Sequence, residues 1–99
     1  MKEMKEFFKR LKEAQKVVKE ADSKVVDLAV AYEKELVREV NKLLFENLEK
    51  EEYQNNVSEI KRGYYLSAIE EFDLTEKEFE KIHDAVQIIL TEVGACAFS

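Results

Sequence analysis

Proline is absent from this chain and glycine occurs only at Gly63 and Gly94, so across 99 residues almost nothing interrupts helical propensity. The expected fold is all-α. The same scarcity argues against phosphate-cradling loops, which need several glycines, and against nucleophile elbows, which need glycine-flanked turns. No motif carries a resemblance to a known family.

A chain of this length makes one domain, residues 1–99, of a size that buries roughly two-thirds of its unfolded surface. Hydrophobic residues are 45% of the sequence, so the composition of a disordered segment is absent although 38% of residues are charged. Apolar runs such as Ala29–Tyr32 and Ile88–Leu90 fall far short of the roughly 20 residues that a membrane span requires. Met1 to Glu20 alternates charged with apolar residues and has no secretory apolar region. One cysteine, Cys96, permits no intrachain disulfide, which favours a reducing compartment and an expected cytoplasmic location.

Charge is unevenly spread within a net −6: residues 1–24 carry eight basic and five acidic side chains, while residues 25–80 carry seven and fifteen. An acidic balance argues against direct nucleic-acid binding, which needs cations facing phosphates. The first helix is the exception. Met4, Phe7, Phe8, Leu11, Ala14 and Val18 recur at helical spacing and predict a helix over 2–20. At about 100° per residue, Lys2, Lys5, Lys9, Lys12, Lys16 and Lys19 share one flank of it. Such a flank reads as a solvated face whose stems cover apolar surface, or more sharply as a docking strip for an anionic partner. That partner would be an external phosphate surface or the acidic 70–80 region of a second subunit, where Glu70, Glu71, Asp73 and Glu76 lie.

Asp22 and Ser23 offer capping oxygens, and a second helix is predicted from Lys24 to about Tyr53. Its apolar positions, Val25 through Leu48, fill a face too wide for one neighbour, and at about 1.5 Å per residue it would be near 45 Å long. The excess predicts self-association, with Leu36, Val40, Leu43 and Leu44 as the contact. Beyond Lys50 the apolar phase changes, which implies a bend or break. Asn56 followed three residues later by Glu59 reads as a capping box, placing a third helix over 57–72 with Ile60, Tyr64, Tyr65, Ala68, Ile69 and Phe72 buried. Gly63 inside it costs about 1 kcal/mol against alanine and suggests close packing, or else a hinge. Leu74-Thr75-Glu76-Lys77-Glu78-Phe79 combines a capping box with a hydrophobic staple, so a fourth helix is predicted over 76–93, ending at Gly94. The sum is a bundle of about four helices with one long central member.

Chemistry-bearing residues are few. Glu80-Lys81-Ile82-His83 spells the Glu-x-x-His pair with which ferritin-like carboxylate proteins hold iron or manganese. Glu33 lies inside the apolar face of the second helix, between Val26 and Val40, where a carboxylate needs a partner or a metal. Glu33, Glu80 and His83 could therefore make half of a di-metal site completed in a dimer. Against it, Glu80 points off the core face, and pairing of Glu33 with Lys, Arg or His83 explains both residues without a metal or any other cofactor. No nucleophile, base and orienting group can be assembled from one histidine, one cysteine and scattered serines, so an enzyme is not expected. Cys96-Ala97-Phe98-Ser99 fits the C-terminal prenylation pattern, yet neither a polybasic segment nor a second cysteine supports it.

The reading these observations favour is a small non-enzymatic protein-protein interaction or regulatory module acting as a homo-oligomer, with itself and another protein as partners and no membrane. One alternative is an acidic inhibitor presenting Glu46, Glu49, Glu51, Glu52, Glu70, Glu71, Asp73, Glu76 and Glu78 in place of nucleic-acid phosphates to a basic cleft. The other is the carboxylate-histidine metal site.

Overall fold

The structure is a computed structural model that describes the backbone of residues 2–94 and the side chains of residues 5–91. Four helices follow one another, α1 (Lys2–Glu20), α2 (Ser23–Phe45), α3 (Lys50–Phe72) and α4 (Glu76–Gly94), and no strand occurs among the described residues. The absence of helix breakers thus produces the expected all-helical chain.

Three of the helix ends follow from side-chain chemistry. Asp22 adopts an extended backbone and its Oδ1 accepts from the Lys24 amide at 2.9 Å, satisfying one orphan donor of α2. At α4 the capping box is present: the Glu78 amide donates to Thr75 Oγ1 at 3.2 Å, and the Thr75 amide donates to Glu78 Oε1 at 3.2 Å. Leu74 packs against the cluster that contains Phe79, which closes the staple. Asp73, at φ 54° and ψ 35°, ends α3 in the left-handed region that Asp and Asn tolerate.

The long central helix is not formed. Asn47 takes φ 55°, the Leu48 amide turns back to the Lys42 carbonyl, and α2 stops at Phe45. The chain re-enters helix at Lys50, so the third helix begins seven residues before the expected start at 57. Asn56 is therefore no cap but an interior residue of α3, and Glu49 occupies the cap position without a side-chain hydrogen bond. Glu51 and Glu52 in the first turn favour that end through the helix dipole. The break needs neither glycine nor proline, because asparagine reaches the left-handed conformation at small cost. α4 takes in Gly94 as its last residue, one beyond the expected end.

With 23 residues each, α2 and α3 span about 35 Å and pair along their lengths. α2 also packs against α4, α1 has its principal contact with α4, and α3 and α4 touch over a much shorter stretch. The core lies where α2, α3 and α4 meet: Val25, Ala29, Ala68, Phe79 and Val86 are buried together, with Val18, Leu28, Tyr64, Tyr65 and Leu90 among the residues packed on them. Phe79 is the one large side chain that is wholly enclosed among the described residues. It meets Tyr65 edge-on at 5.3 Å and Tyr32 at 6.3 Å, the arrangement that aromatic quadrupoles favour.

Two expectations about burial fail. Ile69 on α3, expected to be buried, is 37% exposed beside the opening between α3 and α4; Phe7 and Phe8 on α1 are exposed as well, because α4 covers only part of the α1 stripe. Gly63 is also exposed, and a Cβ there would meet no atom within 4 Å, so close packing does not account for it.

Candidate functional site

Three acids on the inward side of α2 take partners from the two helices beside it. Glu33 and His83 come together in the buried layer, Oε2 to Nε2 at 2.9 Å, with relative exposures of only 9% and 8%. The Tyr32 ring stands edge-on to the imidazole at 4.3 Å between centroids. Glu39, also buried, accepts from Asn56 Nδ2 at 3.1 Å through one oxygen and from Lys42 Nζ at 3.3 Å through the other. Glu35 accepts from Tyr64 Oη at 2.8 Å. Every buried side-chain nitrogen and oxygen among the described residues has a partner, as burial of polar groups requires. These contacts fix the register of α2 against α3 and α4.

The tyrosines at this seam are held neutral. Burial, followed by the nearby Tyr65, Glu33 and Glu80, pushes Tyr32 up to about 12. Burial and the hydrogen bond to Glu35 push Tyr64 up to about 12 as well. Tyr65 is raised by burial and by Glu80, Asp84 and Glu76.

Of the three metal candidates, Glu33 and His83 are joined directly, whereas Glu80 is exposed on the wall of a surface groove. Among the described residues no three His, Cys, Asp or Glu side chains converge as a metal ion would require. With Nε2 of His83 held by Glu33, only Nδ1 is left to act as a base, and the ring is 8% exposed. The prenylation pattern at Cys96 lies outside the described residues.

The surface carries three further features. At the end of α2, Leu44 is 64% and Phe45 79% exposed, with Val40 one turn earlier also uncovered and Leu36 and Leu43 half-buried beside them. On α1, Lys5, Lys9, Lys12 and Lys16 are all exposed, and the first three border a shallow hollow beside Phe8, itself 55% exposed. Between the diverging α3 and α4 runs an open groove of about 350 Å³ lined by Ser58, Lys61, Arg62, Tyr65, Leu66, Ile69, Glu76 and Glu80. Glu70, Glu71 and Asp73, at the C-terminal end of α3, are exposed as well. Among the described residues the only ion pairs are Lys42–Glu39 and His83–Glu33, so none of Lys5, Lys9, Lys12 and Lys16 and none of these acids is ion-paired to another described residue.

Glu39, Phe45 and the groove were not singled out from sequence. Glu39 had a visible signal, since on the α2 wheel it falls beside Tyr32 in the apolar stripe. The groove had none, because it depends on how far α3 and α4 diverge.

No family model, no curated protein and no solved structure matches this chain. No described helix is long and apolar enough to cross a membrane.

Proposed function

We propose that this chain is a small non-enzymatic protein-interaction or regulatory module that acts in the cytoplasm as a homo-oligomer joined through the C-terminal end of α2. The observation that carries this reading is the uncovered apolar group of Val40, Leu44 and Phe45. Excess helix length no longer supports it, since α2 and α3 match. The exposed end does so instead, because burying each large apolar side chain is worth about 1.5–3 kcal/mol and a two-fold interface applies that gain twice. The closed Glu33–His83 pair suits a structural part better than a reactive one.

The acidic-inhibitor reading has weaker support. Its carboxylates fall into two groups, Glu46 to Glu52 and Glu70 to Glu78, at opposite ends of α3 and about 30 Å apart along the axis. A continuous phosphate-like line is not formed.

Light scattering or sedimentation equilibrium at micromolar concentration should give at least twice the 11.6 kDa chain mass. In high salt, Leu44→Glu should return the monomer mass while circular dichroism shows the helices retained. A clean wild-type monomer overturns the proposal.

A further inference from the structure

We infer that the lysine flank of α1 docks into the groove between α3 and α4 of a second copy of this chain, making a head-to-tail contact distinct from the α2 end. It rests on the reading that the chain associates with itself, but uses different surfaces. Phe8 stands exposed beside Lys5, Lys9 and Lys12, with Glu13 lining the same hollow, so this face is an apolar side chain bordered mainly by cations. The groove is its counterpart: Leu66 and Ile69 are exposed on α3, and Glu76 and Glu80 face them from α4. Both charge sets lack ion-pair partners within the chain among the described residues, so each is free to be neutralised from outside.

Lys61 and Arg62 make part of the α3 wall basic, and Glu6 and Glu13 border the lysine flank of α1, so each surface carries both signs. An anionic lipid or nucleic-acid surface fits less well, because residues 25–80 carry seven basic against fifteen acidic side chains and would be repelled. The contact joins two different surfaces, so it can add copies beyond a two-fold dimer.

Mass by light scattering in low and high salt, on the full chain, separates the possibilities. Wild type should exceed the dimer mass in low salt and shrink as salt screens the charges. Lys9→Glu with Lys12→Glu, or Glu76→Lys with Glu80→Lys, should each abolish the larger species, and the four substitutions together should restore it. Phe8→Ala, which leaves every charge in place, should weaken it too, and circular dichroism checks that each variant keeps its helices. A salt-independent dimer that Leu44→Glu dissociates overturns this inference and leaves the α2 contact standing. Association abolished by the charge reversals but untouched by Leu44→Glu supports the inference and removes the α2 contact. A wild-type monomer at every salt concentration overturns both. Retention on phosphatidylserine vesicles that needs Lys9 and Lys12, with no change of mass in solution, reassigns the α1 face to lipid and overturns it as well.

Discussion

Glu33 puts a charge on an apolar helical stripe, and its stability cost depends on whether His83 keeps a partner. Glu33→Gln retains an oxygen that can accept from the imidazole, so its cost should be small. Glu33→Ala strands His83 in the buried layer and should cost about 1–3 kcal/mol. Urea denaturation of the two variants checks this, and equal costs would remove the pair from any role in stability. The tyrosines give a pH dependence. Tyr32 and Tyr64 are held near 12 in the folded chain against 10.0 when free. Their preference for the neutral phenol stabilises the fold fully below pH 10, and that contribution is lost as pH rises from 10 toward 12. Denaturation midpoints at pH 9, 10 and 11, read beside tyrosinate absorbance, should therefore fall only above pH 10, about where free tyrosine ionises. That Glu33 needs a partner was legible from its wheel position. The choice of His83, fifty residues away, was not, because a pairing at that separation is set by packing. Asn56 was misread for a related reason: Asn followed by Glu three residues later is a capping pattern only where a helix starts, and here it lies inside α3 bound to Glu39.

Two substitutions at the level of the helices should act in opposite directions. Thr75→Ala removes the acceptor for the Glu78 amide and should cost about 1 kcal/mol. Gly63→Ala should stabilise by roughly 0.5–1 kcal/mol, since the site is helical, exposed and open to a Cβ. Thermal or chemical melts of both variants test the signs, and a destabilising Gly63→Ala would return this glycine to a hinge role. The start of α4 was readable because capping box and staple fall within six consecutive residues. The end of α2 was not, because it rests on the single residue Asn47 adopting a left-handed conformation, and nothing in Phe-Glu-Asn-Leu compels that. The phase change of the apolar stripe did register that a break exists, but it emerges only after several residues of the new helix have accumulated, and so placed the break too late.

The whole molecule is broader than its mass requires. Its radius of gyration is 14.8 Å and its extents are 39 × 37 × 20 Å, whereas a compact domain of this length has a radius near 12.6 Å. A flat arrangement encloses little. Apart from Phe79 and Tyr32, the buried apolar residues among those described are alanines and valines, while Phe8, Leu44, Phe45 and Leu66 face outward. Fold class and helix number follow from the sequence, but flatness does not, since it depends on α1 lying chiefly against α4. If association completes this core, folding and assembly are linked and stability must depend on concentration. For a dimer, a hundredfold rise in protein concentration adds about 2.7 kcal/mol per dimer, or about 1.4 kcal/mol per chain, and should raise Tm by on the order of 5 °C. In high salt, Leu44→Glu should melt lower than wild type and at the same temperature at both concentrations, because its transition no longer includes dissociation. A wild-type Tm that stays flat across that range would mean that the exposed end of α2 contributes nothing to stability, and the thin core would then have to sustain the fold alone.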